Sequence, residues 1–391
     1  MLRVASSSNG WRRVTFGEMA ENIGDRVDNP SEAGVDRYVG LEHLDPESLK
    51  IRRWGTPEQV EATKLRFKPG DIIFGKRRAY QRKLAVADFE GICSAHAMVL
   101  RAREETVVKD FLAVFMQSEI FFERALSISV GSLSPTINWK TLSAQEFMVP
   151  PKEEQRRIAE ILWAAEKQRT SVGNAATAAE QVAQALVYEH FHATAGMRML
   201  KLEELSAIAY GLTVDGKRRA ISSEYSYLRV ANVGRGFLDL SEVKTIGCML
   251  DGVSRFQLHR DDVLVVEGHA DINAIGRAAI WSDEIPVCLH QNHILRARSD
   301  DALNPRYLVA LLNSNEGCSY FRSHAKSTSG LHTINSTVLR EFPVPYIPRR
   351  QQDSFIERLK GVQERVAGLR QHLNRCEALG TSLREDLIER V

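Results

Sequence analysis

Apolar or small residues recur at alternating spacings of three and four along the last part of the chain. The positions are Phe355, Leu359, Val362, Val366, Leu369, Leu373, Cys376, Gly380, Leu383 and Leu387. This spacing is typical of the seam of a coiled coil, and it continues for longer than the apolar stripe of an ordinary globular helix. The pattern therefore predicts a long helix over residues 349–391.

A weaker, alanine-rich copy of this seam lies 197 residues earlier. Its positions are Ile158, Leu162, Ala165, Arg169, Val172, Ala176, Ala179, Ala183, Leu186 and His190. The copy predicts a second long helix over residues 151–196, and at 1.5 Å per residue each helix would be about 55–65 Å long. Small residues let two helix backbones approach closely, and in a two-fold duplicated chain the two helices are expected to pack antiparallel. The alternative is that each helix packs only on its own neighbouring module.

Four segments of the first half reappear in the same order in the second half. The matched pairs are 92–103 with 287–298 (offset 195), 111–118 with 307–314 (offset 196), 136–138 with 333–335 (offset 197), and 70–74 with 261–265 (offset 191). A period of about half the chain indicates a duplicated domain, because the units of a solenoid are only about 20–50 residues long.

Each half begins with a module whose pattern mixes strands and helices, at residues 1–150 and 197–348. Strand-like runs are predicted at 71–74, 92–101, 262–266 and 294–298, and one short helix at 110–124 with a counterpart at 304–322. A proline-marked corner precedes each long helix. The predicted fold class is therefore α/β (α+β): two similar mixed modules, two long antiparallel coiled-coil helices, and a pseudo-two-fold internal duplication.

Composition narrows the setting of the protein. The chain has 391 residues, of which 43% are hydrophobic and 26% charged, as in a globular protein. No apolar run approaches the roughly 18–20 residues that span a bilayer, and the N-terminus does not resemble a secretory signal. The five cysteines are scattered and form no CxxC pair: Cys93, Cys248, Cys288, Cys318 and Cys376. We therefore expect a cytoplasmic protein without a disulfide framework or a zinc site.

The corner at Pro150–Leu162, with the sequence PPKEEQRRIAEIL, resembles a P-x-x-E-Q-x-x-I-x-x-x-L signature. Specificity (S) subunits of type I restriction-modification systems carry this signature where a target recognition domain passes into a spacer helix. The glycine-polar stretch 131–138 is also similar to that family. The second copy departs from the signature, because Gln351 stands where the first has Glu154.

The resemblance covers essentially the whole chain and implies its organisation. It assigns target recognition domain 1 to residues 1–150, a central spacer helix to 151–196, target recognition domain 2 to 197–348 and a C-terminal spacer helix to 349–391. Spacer-helix residues with a partner-binding or packing role would be Gln155, Ile158, Leu162, Leu359, Leu369 and Leu373. The two domains would read the halves of a split site in double-stranded DNA. Two major-groove readers on one face of DNA must sit about 34 Å apart, a distance that such helices can set.

The resemblance also implies the partners, in a system of DNA methylation and defence against foreign DNA. The chain would bind two adenine methyltransferase subunits and, in a restricting assembly, two restriction or translocase subunits. S-adenosylmethionine, ATP and Mg²⁺ would belong to those partners, with no cofactor in this chain.

The net charge of +2 does not by itself indicate a nucleic-acid binder, but a basic loop follows the strand-like run 71–74. Its candidates for contacting bases or phosphates are Lys76, Arg77, Arg78, Tyr80, Gln81, Arg82 and Lys83. The matching segment 267–277 is far less basic and offers His269, Asn273 and Arg277. Two unequal modules predict an asymmetric split site. A solvated surface loop is the alternative interpretation.

The glycine-serine segments before each corner form a second candidate DNA surface. Their short polar or basic side chains are Ser132, Ser134, Lys326, Ser327, Ser329 and His332. Plain loops are the alternative. His290 and His293 lie on a strand-like run without a third ligand, so we expect structural histidines and no metal site.

Motifs of DNA-modifying enzymes are missing from the sequence. Asn29-Pro30-Ser31 is the nearest approach to the Asn/Asp-Pro-Pro-aromatic motif of a methyltransferase, and no P-loop occurs. Asp71 and Lys76 lack the glutamate that a nuclease site would add. We therefore expect a non-catalytic subunit. The alternatives are a stand-alone nuclease or methyltransferase with a divergent site, and a helical scaffold that binds only proteins.

Overall fold

A computed structural model describes residues 10–194, 196–216, 218, 221–328 and 330–389. The chain forms two compact units. Unit 1 comprises residues 1–175 and 369–391, and unit 2 comprises residues 176–368. Each unit therefore contains one mixed module together with part of each long helix.

Unit 1 contains two four-stranded sheets and a two-stranded one. Its strands are β1 Arg12–Thr15, β2 Ala20–Ile23, β3 Arg26–Val27, β4 Tyr38–Val39, β5 Lys64–Phe67, β6 Ile72–Gly75, β7 Leu84–Val86, β8 Gly91–Ser94, β9 Ala97–Ala102 and β10 Glu146–Val149. The strand orders are β2-β9-β6-β7, β3-β5-β8-β4 and β1-β10. Its helices are α1 Phe16–Met19, α2 Lys109–Phe115, α3 Glu119–Ser127, α4 Trp139–Ser143 and the first part of α5 Lys152–Ala193.

Unit 2 repeats this plan. Its strands are β11 Met199–Lys201, β12 Ser206–Tyr210, β13 Glu224–Leu228, β14 Lys244–Gly247, β15 Val263–Val266, β16 Gly268–His269, β17 Ala278–Ile280, β18 Cys288–His290, β19 Ile294–Ser299, β20 Lys326–Thr328, β21 Leu331–Thr333 and β22 Pro343–Pro345. The strand orders are β12-β19-β15-β17, β14-β13-β18, β16-β21-β20 and β11-β22. Its helices are α6 Leu250–Phe256, α7 Pro305–Leu312, α8 Asn315–His324, α9 Ser336–Arg340 and α10 Arg349–Arg384, which ends in a π-helical turn over Glu385–Glu389.

The prediction of one short helix in each module is wrong in one respect, because each predicted segment forms two helices. A buried serine, Ser118 in unit 1 and Ser314 in unit 2, separates α2 from α3 and α7 from α8. The Ser118 hydroxyl accepts a hydrogen bond from the amide of Phe121, and that of Ser314 from the amide of Gly317. A serine N-cap satisfies the free amides of a new helix, so the chain starts again at this point.

The strand-like run 92–101 is likewise broken, by a turn at Ala95 and His96. The structure also corrects the register of this repeat. Ile72 lies opposite Leu100, and Val263 lies opposite Ala297, so the offset of the last paired strand is 197 and not 195.

A buried ion pair confirms the corrected register. The guanidinium of Arg101 binds both carboxylate oxygens of Asp71, at 2.7 and 2.9 Å. Arg298 binds Asp262 in the same way, at 2.7 Å to each oxygen. Both aspartates are buried. Each pair joins the two central strands of its four-stranded sheet.

The predicted seam is confirmed in both long helices, since every seam position is buried or half-buried. In unit 1 the start of α5 packs with the end of α10, through Ile158, Leu162 and Leu383. In unit 2 the His190 ring, near the end of α5, stacks on Phe355 with 3.8 Å between centroids. The helices therefore run antiparallel, and each also packs on the modules at its ends. The polar seam residue Arg169 is accommodated because it pairs with Glu166 at 2.8 Å.

The glutamine of the corner signature holds each long helix to its module. The Gln155 side chain is buried, accepts a hydrogen bond from the Val108 amide at 2.7 Å, and donates one to the Pro150 carbonyl at 2.9 Å. Gln352 repeats these contacts with Asn304 and Ile347, at 2.8 and 3.1 Å. Gln155 was predicted as a partner-binding or spacer residue. Its side chain is buried and its amide is used within its own unit, where it anchors the helix.

Candidate nucleic-acid interface

The two surfaces that the sequence analysis treated separately form one surface in unit 1. We name residues 76–83 loop 1 and residues 130–136 hairpin 1. The amide of Ile137 donates to the carbonyl of Lys76 at 3.0 Å, and the amide of Arg78 donates to the carbonyl of Pro135 at 2.8 Å. The Arg78 guanidinium also donates to the hydroxyl of Ser134 at 3.3 Å. Loop 1 and hairpin 1 are therefore positioned together.

Unit 2 joins the equivalent segments in the same manner. We name residues 267–277 loop 2 and residues 326–333 hairpin 2, in which Ser329 lies outside the described residues. Strand β16 of loop 2 pairs with β21 of hairpin 2, so that His269 lies opposite His332. The amide of Ile334 donates to the carbonyl of Glu267 at 2.9 Å, as Ile137 does to Lys76.

Several predicted side chains of unit 1 are accessible on this joined surface. Arg78 and Ser132 are exposed, Tyr80 is 53% exposed, and Lys76, Arg77, Gln81 and Ser134 are half-buried. Leu133, at the tip of hairpin 1, is 91% exposed. Arg78 has a left-handed backbone, with φ of 57°, a conformation that is uncommon outside glycine. The loop holds it through the two hydrogen bonds to hairpin 1.

Arg82 and Lys83 are half-buried like Lys76 and Arg77, and their cationic groups have partners within the module. Arg82 forms two contacts with the carboxylate of Glu119 and lies 5.2 Å from the ring centre of Phe122. The hydrogen bond to Glu119 raises the pKa of Arg82. The Lys83 ammonium donates to the carbonyl of Leu41 at 2.8 Å. Both cations therefore bind their own module.

Arg277 of unit 2 likewise has a partner within its own module. Its guanidinium donates to the carbonyl of Val230 at 2.9 Å, and burial lowers its pKa. The contact matches that of Lys83. Leu41 and Val230, whose carbonyls accept from the two cations, each begin a short 3₁₀ turn. The carbonyl of Lys83 accepts a hydrogen bond from the last residue of β6, as the carbonyl of Arg277 does from the last residue of β15. The duplication thus preserves a structural cation at this place.

The remaining predicted residues of unit 2 lie on loop 2 and hairpin 2. His269 accepts a hydrogen bond from the amide of Asp271 at 2.9 Å, and the Asn273 side chain donates to the Asp271 carboxylate at 3.2 Å. Lys326 and Ser327 are exposed, and His332 is half-buried. This surface carries imidazoles and amides where unit 1 carries guanidiniums.

Arg235, which no sequence pattern marks, is exposed. Its guanidinium donates to the carbonyl of Asn273 at 2.8 Å, to the side-chain oxygen of Asn313 at 3.3 Å and to the sulfur of Cys318 at 2.9 Å. Two further residues of the surface are His96, which faces loop 1, and Glu267, the first residue of loop 2. His96 accepts from the Arg77 guanidinium at 3.2 Å, and Glu267 contacts His293 at 2.8 Å. No sequence periodicity marks them. The corrected 197-residue register aligns His96 with His293, and this alignment is the signal that identifies the two histidines as equivalent.

Burial and positive charge shape the titration of loop 1. Burial lowers the pKa of Lys76. Burial also lowers the pKa of His96, and the neighbouring Arg77, Lys76 and Lys64 lower it further. His96 is therefore neutral at pH 7, as its role as an acceptor for Arg77 requires.

Within the described parts of the chain, no group of three or more histidine, cysteine or acidic residues could hold a metal ion. Asp71 is occupied by Arg101. His290 is fully buried, its Nδ1 lies 3.0 Å from the carbonyl of Phe256, and burial lowers its pKa to about 4. Among the described helices, none is long and apolar enough to cross a membrane.

A groove lies between module and long helices at equivalent positions of the two units. In unit 1 it is lined by Val114, Gln117, Leu162 and Glu166, among others. In unit 2 the corresponding lining residues are Ala310, Asn313, Leu359 and Gln363. The duplication therefore extends to a surface that lies on the helices.

The fold and the site together define a duplicated protein in which each module presents one loop-and-hairpin surface. Residues 10–175 match the family model for the type I restriction modification DNA specificity domain. The chain is 26% identical over 192 residues, 48% of its length, to the specificity subunit of the type I restriction enzyme EcoDI of Escherichia coli. It is 21% identical over 361 residues, 85% of its length, to the EcoKI specificity subunit of Escherichia coli strain K12. These alignments span 42% of the EcoDI subunit and 76% of the EcoKI subunit.

The crystal structure of a type I restriction-modification S subunit from M. genitalium has the same fold. The TM-score is 0.62 at 12% identity, and the match covers 99% of this chain and 98% of that one. These matches confirm the resemblance predicted from the sequence, and the shared fold confirms the predicted fold class.

Proposed function

We propose that this chain is a non-catalytic DNA specificity subunit whose two modules read the two halves of a split site. One observation carries the proposal. Both units join a polar loop to a hairpin through the same backbone hydrogen bond, Ile137 to Lys76 and Ile334 to Glu267, yet they carry different side chains there. A conserved scaffold with exchanged side chains is what two readers of different sequences require.

Loop 1 and hairpin 1 supply both kinds of contact that DNA reading needs. Arg78 is exposed beside the hydroxyls of hairpin 1 and is suited to a phosphate or a guanine edge. Arg77 and Gln81 are suited to base edges, and Tyr80 to packing on the backbone. In unit 2, His269, Asn273, Lys326, Ser327 and His332 take these places, and we add Arg235. The predicted asymmetry of the site follows from this difference.

The partners are proposed from the family and from the duplicated groove. Because the groove occurs once in each unit, at Leu162 and at Leu359, the chain offers two equivalent surfaces to two copies of one partner. We propose that these copies are DNA adenine methyltransferase subunits and that restriction or translocase subunits join through them. S-adenosylmethionine, ATP and Mg²⁺ are then bound by the partner subunits.

The test is reconstitution of methylation from purified components. The chain, its methyltransferase subunit and S-adenosylmethionine are mixed with DNA, and methylated positions are mapped by sequencing. We expect methylation only when both proteins are present, at a two-part motif with a constant gap. Methylation or cleavage by this chain alone would show that it is an enzyme, and unchanged methylation without it would show that it confers no specificity.

A further inference from the structure

The first residue after the central strand is a cation in unit 1 and an anion in unit 2. Lys76 follows β6, and Glu267 follows β15. Their carbonyls accept the equivalent hydrogen bonds from Ile137 and Ile334, at 3.0 and 2.9 Å. The two side chains therefore leave the backbone at the same place in the two modules and carry opposite charges.

A histidine lies across the sheet from each of these residues. In unit 2, Nδ1 of His293 lies 2.8 Å from Oε2 of Glu267. In unit 1, His96 receives its hydrogen bond from the adjacent Arg77, at 3.2 Å. The histidine is thus retained while its partner changes from a guanidinium to a carboxylate. An imidazole that holds one carboxylate oxygen fixes the direction of the other.

Glu267 is an unsuitable residue for simply attaching a module to DNA. Its side chain is only 15% exposed, beside a His293 that is 45% exposed, and a half-buried carboxylate at a phosphate backbone would repel it. A carboxylate is an acceptor without a donor, and the groups that the major groove of DNA presents to an acceptor are the exocyclic amines of cytosine and adenine. An ammonium at the same place prefers the O6 and N7 acceptors of guanine.

We propose that position 76/267 determines specificity in both modules, with Lys76 selecting a guanine and Glu267 selecting an exocyclic amine, that of cytosine or adenine. His293 acts as a positioning residue for Glu267. The inference rests on the proposed function and deepens it, because it assigns opposite base chemistry to one structural position. The duplication makes each module the control for the other.

The experiment maps the methylated motif for the intact complex of this chain with its methyltransferase. Two variants address unit 2: Glu267→Gln, which keeps the shape, and Glu267→Lys, which copies unit 1. Lys76→Glu is the reciprocal change, and Glu203→Gln, an exposed glutamate of unit 2, is the matched control. Thermal melting is recorded for each, and Glu267→Gln decides the result where Glu267→Lys does not fold.

We expect Glu267→Gln to reduce discrimination at one base pair of one half-site by about tenfold to a hundredfold, and Glu267→Lys to shift that position toward guanine. Lys76→Glu should alter only the other half-site, and Glu203→Gln neither. An unchanged motif in the folded Glu267→Gln complex would overturn the inference, as would a uniform loss of binding at all sequences. If the unmodified complex gives no split motif, the proposed function itself is wrong.

Discussion

The side-chain oxygen of Gln155 accepts a hydrogen bond from the backbone amide of Val108, 2.7 Å away and 47 residues earlier in the chain. The same glutamine donates to the carbonyl of Pro150, in the corner that ends the module. One buried amide thus joins the first turn of α5 to the start of α2. The motif that identifies the family by sequence is, in the structure, an anchor between module and helix.

Replacement of Gln155 by leucine should destabilise unit 1 selectively. The change leaves the Val108 amide and the Pro150 carbonyl buried without partners, at a cost of about 1–3 kcal/mol each. Hydrogen exchange measured by mass spectrometry should show faster exchange in α2 and in the first turns of α5. Gln168→Leu, at an exposed position of the same helix, is the control and should leave exchange unchanged. Equal protection in both variants would contradict the anchoring role.

Alanine substitutions in loop 1 separate a cation with a structural role from one proposed to contact DNA. Arg78→Ala should weaken binding to cognate DNA at least about tenfold with little change in melting. Arg82→Ala removes the contacts with Glu119 and Phe122, so it should lower stability by about 1 kcal/mol. Fluorescence anisotropy with labelled DNA and thermal melting measure the two effects. The assignment is wrong if Arg82→Ala loses binding as strongly as Arg78→Ala while remaining folded.

The sequence predicted the long helices well, but it did not predict the register of the strands or the contacts of the site. The seam was predictable because a coiled coil repeats its chemistry every few residues, from Phe355 to Leu387. The register of β9 and β19 was not, because the identical segments Leu100-Arg101-Ala102-Arg103 and Leu295-Arg296-Ala297-Arg298 favour an offset of 195. A shift of two residues keeps the same faces of a strand buried, so the two registers are distinguished by the strand pairing and by the ion pairs of Asp71 and Asp262 in the structure.

The site was predicted as separate loops because its contacts are between distant segments. Nothing in the local sequence shows that Lys83 reaches the carbonyl of Leu41 or that Arg78 lies against Ser134. The basic run 76–83 suggested that all its cations face DNA. In the structure Arg78 instead contacts Ser134, Arg82 contacts Glu119, and Lys83 contacts the carbonyl of Leu41.

His290 should make unit 2 sensitive to acid. Its pKa is about 4 in the fold, because burial disfavours the imidazolium, against 6.5 for the unperturbed side chain. The unfolded chain therefore takes up the proton first, and stability falls as pH decreases from about 6.5 to about 4, by about 3 kcal/mol in all. Hydrogen exchange in β18 at pH 7 and pH 4, corrected for the intrinsic pH dependence of amide exchange, measures this loss.

Cys93 provides the internal control, because it occupies the equivalent place in β8. Val39 lies opposite Cys93, and Leu228 lies opposite His290. Burial raises the pKa of Cys93 to about 12, so it stays neutral and β8 should show no such loss. His290→Cys, studied under reducing conditions, should remove the pH dependence from β18. Identical acid sensitivity in the variant would assign the effect to other groups.

Gly173 offers a stabilising change in the helix pair. It lies inside α5, and a methyl group added there would meet only Cδ1 of Leu373, at 3.8 Å, an ordinary contact. Alanine exceeds glycine in helix propensity by about 1 kcal/mol, so Gly173→Ala should stabilise the chain by at least that amount. Gly361→Ala in α10 is the matched control, since a methyl group there contacts nothing within 4 Å and isolates the propensity gain. Urea unfolding should give Gly173→Ala a free energy of unfolding equal to or higher than that of Gly361→Ala. A destabilised Gly173→Ala would mean that the two helices lie closer at Leu373 than the seam indicates.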